Sequence, residues 1–293
     1  MSAEHLLTLL FNAGVALSIL ATVLSLGMSF TVAQVLAPLR RWVLVVLMVV
    51  LNCVVIPAAA WGIAKAFGLQ DAYVSGLTLA AIGAAGASGL KAAQLSKKAD
   101  LALAVSVVIV LQLVNLAAVP LWAGQVVSGA SISGATILKN LLELVLIPLV
   151  VGLVVRGRYA ENAAKWQPEL VKVANLALVL ALVAGMAVNW STIVSLFGSR
   201  ALLASLVIAV LALVLGLLVG GKDPAARAST GLISGLRFAS LGLVIIGTQL
   251  DGNPNYLGPA IVFALVDMVV CMFVAVEIGR KATPVTPAET GGA

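Results

Sequence analysis

The hydrophobic positions of this chain form long continuous runs, separated by short segments that carry charge, proline or glycine. Each run approaches the roughly 20 apolar residues that a helix needs to cross a hydrocarbon core of about 30 Å, so each run predicts one membrane-spanning helix. The nine predicted spans are 6–33, 42–64, 73–97, 101–127, 137–155, 168–188, 201–220, 228–249 and 257–279. We therefore expect an all-α integral membrane protein.

The composition excludes a water-soluble fold. The 293 residues are 62% hydrophobic and 10% charged, whereas soluble domains are roughly 45 to 50% apolar and about 25% charged. The net charge of +6 comes from basic residues that stand singly or in pairs between apolar runs, so nucleic acid is not an expected partner. Cys53 and Cys271 both lie inside apolar runs, which predicts neither a disulfide framework nor a metal site, and no cofactor is expected.

Lysine and arginine concentrate on one predicted side of the membrane. The odd-numbered loops and the C-terminal tail carry eleven of them, which are Arg40, Arg41, Lys97, Lys98, Arg156, Arg158, Lys165, Lys222, Arg227, Arg280 and Lys281, and the even-numbered loops carry two, Lys65 and Arg200. Positive charge is retained on the cytoplasmic side. We therefore expect a cell inner-membrane protein with a periplasmic N-terminus, a cytoplasmic C-terminus and an odd number of spans.

A four-residue sequence occurs twice, with one basic residue replaced by the other. Ser88-Gly89-Leu90-Lys91 lies in the third predicted span and Ser234-Gly235-Leu236-Arg237 in the eighth, 146 positions later. Two spans that are five apart cross the membrane in opposite directions, which is typical of an inverted-topology repeat. The predicted units are residues 1–136 with helices 1 to 4, a linking helix and cytoplasmic loop at 137–167, a second repeat at 168–280, and a disordered tail at 281–293.

Glycine-rich stretches at 83–89 and 231–235 predict a helix break in each repeat, because glycine weakens the helix. Irregular backbone at membrane depth is tolerated where it is buried in protein or lines a cavity. Two broken, crossing helices, within 73–97 and 228–249, would thus flank a central cavity. The alternative is that these glycines only allow close helix packing.

Two basic residues, Lys91 and Arg237, fall inside predicted spans. A charge at the bilayer centre costs on the order of 2.5 to 3.5 kcal/mol, so such residues face a partner or a cavity. Asp267 in the ninth span is the expected charge partner, whereas Glu143 is expected to pair locally with Lys139. One positive charge is left over, and an anionic substrate is its natural partner. The N-terminal ends of half-helices at the breaks would also favour an anion.

Segments 26–30, 52–57, 86–89, 98–103 and 234–240 are spread over nearly the whole chain. Together they resemble the bile acid:sodium symporter family, part of a wider superfamily that includes arsenite and auxin-type carriers. The resemblance implies two inverted five-helix units, with crossing broken helices in a core domain beside a panel domain. The first of the family's ten helices has no counterpart in the expected nine.

The resemblance also implies sodium ligands, but other residues stand at most of those positions. Sodium symporters of the family resemble each other in a serine–asparagine pair at the first break, polar residues on the next helix, and a glutamate followed four residues later by glutamine at the second break. Ser88 is retained and Asn52 is a candidate for a helix 2 glutamine, while the other positions hold Gly89, Ala104, Val108, Ile233 and Arg237. Because sodium needs a cage of oxygen ligands, we expect no sodium coupling of the family's kind.

The sequence thus predicts a secondary transporter of a small, carboxylate-type organic anion that works by alternating access and is not an enzyme. The expected substrate-binding residues are Ser88, Gly89, Lys91, Ser234, Gly235, Arg237 and Asn52, with Asp267 as charge partner and no metal site. The expected partners are the anion and membrane lipid. A membrane sensor that binds the anion without moving it is the main alternative. An intramembrane hydrolase using Ser88 and Lys91 is a third hypothesis, which covalent labelling of Ser88 would reveal.

The first testable prediction concerns topology. Reporter proteins that are active on only one side of the membrane, fused at Met1 and at Ala293, should report opposite sides, because an odd number of spans separates the two ends. Two fusions reporting the same side would rule out both the odd span count and the inverted repeat.

Overall fold

The computed structural model describes residues 3–31, 33–34, 41–127, 132–196 and 199–280. No strand occurs within these ranges, so the all-α prediction is confirmed there. The predicted tail 281–293 lies outside the described residues, as do Arg40 and Lys281.

The described residues fold into helices whose bounds follow the apolar runs. In chain order they are α1 Ala3–Ser29, α2 Trp42–Ala66, α3 Asp71–Ile82, α4 Ala87–Leu95, α5 Leu101–Val126, α6 Gly134–Arg158, α7 Ala160–Val188, α8 Trp190–Leu196, α9 Arg200–Val219, α10 Pro224–Gly235, α11 Ala239–Gln249 and α12 Pro254–Arg280. Eight stretches of the described chain are long and apolar enough to cross a membrane, with α10 and α11 forming one of them. The third predicted span, 73–97, is not among these eight and corresponds to the pair α3 and α4.

Some boundaries differ from the sequence prediction. The long helix α7 begins at Ala160 and continues through Pro168, where the prediction began a span. Proline is tolerated inside membrane helices because neighbouring groups can satisfy the freed carbonyl. The short helix α8 was not predicted, because its seven residues give too brief a pattern.

The helices pack as two groups with a boundary between them. In the first group, here called the panel bundle, α1 packs along both α6 and α7. Gly27 of α1 meets Gly152 of α6 so closely that a Cβ on Gly27 would lie 2.5 Å from the Leu149 carbonyl oxygen. Small residues at such a contact let two membrane helices approach each other. The second group, the core bundle, contains α2–α5 and α9–α12, in which α3 packs against α2, α11 and α12, and α10 against α9 and α4.

The two broken helices cross inside the core bundle. The first break spans residues 83–86, between α3 and α4. The Phe238 amide, in the second break, donates a hydrogen bond of 3.0 Å to the Gly83 carbonyl oxygen. A side chain at position 83 would collide with the Phe238 carbonyl oxygen, so glycine is required at this contact. The predicted first break is therefore present, although 87–89 already belong to α4.

The second break lies later than the glycine pattern predicts. Helix α10 continues through 231–235, and the break comprises Leu236, Arg237 and Phe238. A Cβ on Gly231 would lie 2.6 Å from Leu217 Cδ2, and one on Gly235 would lie 2.8 Å from Cys271 Sγ. These glycines serve close packing inside a regular helix, which is the alternative weighed for them.

The repeated tetrapeptide consequently does not occupy equivalent places. The first copy, from Ser88 to Lys91, lies in α4, after its break. The second copy ends α10 with Ser234 and Gly235 and enters its break with Leu236 and Arg237. Lys91 and Arg237 therefore do not hold equivalent positions relative to the two breaks. Lys91 lies half-way along α4, towards the loop that carries Lys97 and Lys98, whereas Arg237 lies at the crossing itself.

Candidate substrate site

Side chains from α5 provide hydrogen-bond partners for the backbone of the first break. Asn115 accepts a hydrogen bond from the Ala84 amide through Oδ1 at 3.1 Å and donates to the Ala84 carbonyl through Nδ2 at 2.9 Å. Gln112 Nε2 donates to the Ala85 carbonyl oxygen at 3.1 Å. An unpaired backbone group in this interior would cost free energy comparable to a lost hydrogen bond. These two amides therefore replace the helical partners that residues 84 and 85 lack.

Arg237 supplies the remaining donors to the end of α3. Its Nε donates to the Ala81 carbonyl oxygen at 2.8 Å, and Nη2 reaches the Ile82 carbonyl oxygen at 3.4 Å. The other side of the guanidinium contacts Asn52, with Nη1 donating to Oδ1 at 2.7 Å and Nη2 to the carbonyl oxygen at 2.8 Å. Arg237 is 3% exposed. Four oxygen atoms from two helices thus surround one cation.

The shape of α2 explains why the Asn52 carbonyl is free. Residues Leu51–Val55 form a π-helical turn, in which the Ile56 amide bonds to the Leu51 carbonyl oxygen instead of that of Asn52. The following Pro57 has no amide proton for the Cys53 carbonyl, which accepts from Trp122 Nε1 at 2.7 Å instead. The π turn and Pro57 therefore release two carbonyls, and one of them binds Arg237.

Asp267 performs at the second break the task that Asn115 performs at the first. Its Oδ2 accepts a hydrogen bond of 2.8 Å from the Arg237 backbone amide. The carboxylate was predicted to be the charge partner of Arg237 or Lys91, but none of the ion pairs within the described ranges includes it. The guanidinium points towards α2 and α3, so the contact with Asp267 is made by the main chain. The predicted local pair of Lys139 and Glu143 is present at 3.9 Å.

A cavity lies next to the crossing, between the core bundle and the panel bundle. It contains about 760 Å³ of empty space when the solvent in its open mouth is counted. Its polar lining consists of Ser18, Thr22, Ser25, Ser88, Lys91, Asn175, Arg237, Ser240 and Asp267. A second cavity shares Ser25, Lys91 and Val171 with it and extends to Gln94, Gln167 and Lys172. The site therefore continues towards the loops that are predicted to be cytoplasmic.

The structure separates the predicted site residues into two sets. Ser88, Lys91, Arg237 and Asp267 line the cavity, whereas Gly89, Ser234, Gly235 and Asn52 are not part of its lining. Asn52 Nδ2 donates a hydrogen bond of 2.9 Å to Ser234 Oγ, and Asn52 Oδ1 accepts one from Arg237. These two residues therefore position the Arg237 guanidinium without lining the cavity. Gly89 lies against α10, where a Cβ would be 3.4 Å from the Ile233 Cα atom.

The sequence analysis did not predict that residues of the panel bundle line the cavity. Lys91 Nζ donates to Asn175 Oδ1 of α7 at 2.7 Å, a contact that no local pattern predicts. A signal did exist for α1, because Ser18, Thr22 and Ser25 recur at the spacing of one helix face. That face lines the cavity.

Comparison with protein families gives one match. The model described as the Sodium Bile acid symporter family matches residues 16–216, more than half of the chain. The chain belongs to this family. A search of curated proteins finds no match. The matched segment includes α2, the first break and α5, and it ends within α9, before α10 and the second break.

Membership of this family fits a multi-pass membrane transporter. The family is named for sodium symport, yet the oxygen atoms gathered at the crossing of this chain are bound by its own guanidinium. We describe Arg237 as a tethered cation for this reason.

The second testable prediction concerns that cation. Arg237→Met should leave the Ala81 and Asn52 carbonyls without their donors, at a cost of about 1 to 3 kcal/mol for each carbonyl left unsatisfied, and should lower the thermal unfolding midpoint in detergent by several degrees. The matched control is Arg200→Met, because Arg200 is exposed and makes one contact of 3.5 Å with the Phe67 carbonyl. Equal midpoints for the two variants would show that the Arg237 contacts do not stabilise the crossing.

Proposed function

We propose that this protein is a secondary transporter of a small organic anion with a carboxylate-type head group. The observation that carries the proposal is the Lys91 ammonium, which lines the cavity and is bound by the neutral amide of Asn175. An ammonium held by a neutral group keeps its full charge for an incoming anion. Coulomb attraction between unit charges about 4 Å apart is about 4 kcal/mol at an effective dielectric constant near 20.

Two helix ends support an anionic ligand. Ser88 is the second residue of α4, Ala239 and Ser240 are the first two of α11, and all three line the cavity. The N-terminus of a helix presents free amide protons and the positive end of its dipole. The N-terminal ends of both half-helices that begin after a break therefore make the electrostatic potential in this cavity more favourable for an anion.

The apolar part of the lining favours an organic anion over an inorganic one. Leu178 and Leu182 contribute from α7, Leu236 and Phe238 from the second break, and Leu243 from α11. A ligand with a charged head and an apolar body would satisfy both parts of this surface. The substrate class is accordingly a small carboxylate or a similar anion.

The position of the cavity supports alternating access. It lies between two bundles that could move relative to each other, and its lining includes α1 and α7 on one side and α4, α11 and α12 on the other. Rocking of one bundle against the other around a fixed site is the usual mechanism of inverted-repeat carriers. We place the protein in the cell inner membrane, with the mouth beside Gln94 and Lys172 facing the cytoplasm.

The third testable prediction is a loss of anion affinity in Lys91→Ala. Purified protein should bind benzoate or benzenesulfonate, as measured by ligand-induced thermal stabilisation, and the variant should bind roughly ten- to a thousandfold more weakly after desolvation offsets part of the attraction. Lys139→Ala is the control, since Lys139 is an exposed lysine paired with Glu143. Normal affinity in Lys91→Ala would contradict the proposed role of Lys91.

The fourth prediction is that anion binding and transport do not need sodium, because Arg237 already binds the carbonyl oxygens at the crossing. Affinity for benzenesulfonate, and its uptake into proteoliposomes, should be the same in matched sodium and potassium buffers. A steep increase with sodium would contradict the tethered-cation argument. Saturable binding without any flux in either buffer would instead indicate a membrane sensor.

A further inference from the structure

Asp267 is a residue of the cavity lining with one carboxylate oxygen that has no hydrogen-bond partner among the described residues. Its side chain is 1% exposed, which makes it the most deeply buried carboxylate in the part of the chain that the structure describes. Oδ2 holds the Arg237 amide, while Oδ1 has no hydrogen-bond partner among the described residues. The residue belongs to the cavity lining. A buried polar atom without a partner needs an explanation, such as a bound ligand or a catalytic or transport role.

We propose that Oδ1 of Asp267 binds a proton together with the transported anion, so that the carrier couples anion movement to proton movement. The inference rests on the proposed anion transport and specifies its coupling ion. A proton from solvent in the cavity forms the O–H bond at Oδ1, and the same bond releases the proton to solvent after the site opens on the other side.

Electrostatics make the two binding events cooperative. An ionised Asp267 repels an anion that enters the cavity, at a distance where little water screens the charges. Protonation removes that repulsion and converts Oδ1 into a donor that can bond to the anion. Because coupling free energy is reciprocal, the anion in turn strengthens proton binding by the same factor. One proton and one anion then cross as a unit.

The other ionisable groups near Asp267 have different positions. Lys91 of α4 lines the same cavity, Arg237 lies between α10 and α11, and the Cys271 thiol follows one turn later on α12, where it packs against Gly235. Among the described residues, α1 contributes hydroxyl groups to the cavity and α7 contributes the amide of Asn175. Lys172 of α7 lies in the outer cavity and pairs with Glu169 at 2.7 Å.

Helices α3, α8 and α9 also pack against α12 but contribute no residue to this cavity. Their ionisable residues stand at the beginnings of α3 and α9, as Asp71, Tyr73 and Arg200. Asp71 precedes the first break by about three helical turns, so it is remote from the level of Asp267. Among the described residues, Asp267 is the one carboxyl group that lines the cavity an anion beside Lys91 would enter.

The fifth testable prediction uses benzenesulfonate as the probe, because a sulfonate keeps its charge throughout the range from about pH 5 to about pH 8, unlike protein carboxyl groups that are shifted by burial. Its affinity for the wild type should fall as pH rises, by up to about tenfold for each pH unit where Asp267 is ionised in the free protein. Asp267→Asn should bind the anion with an affinity that is independent of pH, since an amide keeps an acceptor for the Arg237 amide and cannot titrate. Glu143→Gln, which removes an exposed carboxylate, should behave as the wild type.

Proton uptake by the wild type provides a measurement that does not depend on the folding of a variant. In weakly buffered detergent solution with a pH-sensitive dye, at a pH where the affinity falls about tenfold for each pH unit, benzenesulfonate should cause uptake of close to one proton for each anion bound. In proteoliposomes, Asp267→Asn should still exchange internal for external benzenesulfonate but should lose accumulation driven by a pH gradient.

The outcomes separate the two proposals. Binding and flux that do not change with pH, or binding without proton uptake, would overturn the role of Asp267 while leaving anion transport intact. An equal pH dependence in the wild type and in Asp267→Asn would assign the proton to another group, such as Lys91, and would also overturn it. Absence of binding and flux for both benzoate and benzenesulfonate in the wild type would overturn the proposed function and, with it, the coupling.

Discussion

The crossing of two broken helices depends on one buried cation. Arg237 binds carbonyl oxygens at the end of α3 and at the π turn of α2, and its own backbone amide binds Asp267 of α12. In the interior of a membrane protein no solvent can replace these partners. The cost of burying the guanidinium is offset because several acceptors surround it at hydrogen-bonding distance. Three helices of the core bundle are thereby joined at one residue.

The same interaction changes how the binding site works. A carrier that gathers oxygen atoms at a helix crossing offers a place for a hard cation. In this chain the guanidinium binds those oxygens and cannot leave with the substrate. A permanently bound positive charge contributes to the potential of the cavity but cannot drive transport by being released. We therefore infer that the mobile charge is another one, the proton proposed above for the Asp267 oxygen that has no hydrogen-bond partner among the described residues.

The two bundles contribute different kinds of groups to the lining of the cavity. The core bundle provides the helix ends, Lys91 and Asp267, and Asp267 is fixed by a hydrogen bond from the backbone of the second break. The panel bundle provides hydroxyl groups on α1 and the amide of Asn175, which faces Lys91 across the boundary. A contact of this kind, between groups on opposite sides, is made or broken when the bundles move. Under the proposed alternating access, we expect the Lys91–Asn175 hydrogen bond to differ between the two states.

The sequence by itself determined the all-α membrane fold, because long apolar runs admit few other structures in a membrane, and eight helical stretches of the described chain are long and apolar enough to cross one. It also predicted the first break, since glycine and other small residues around Gly83 and Gly86 weaken a helix, and it identified Lys91, Arg237 and Asp267 as the charges that need an explanation. The role of each charge was decided by the tertiary structure. Gly231 and Gly235 have the composition of a break but lie in a regular helix, because α9 and α12 pack closely against them. Arg237 looked like a substrate ligand, yet its guanidinium is bound by carbonyls that become free only through the π turn of α2 and the end of α3. Such contacts join residues about 150 to 185 positions apart, and no local pattern in the chain encodes which distant carbonyl will be left without a partner.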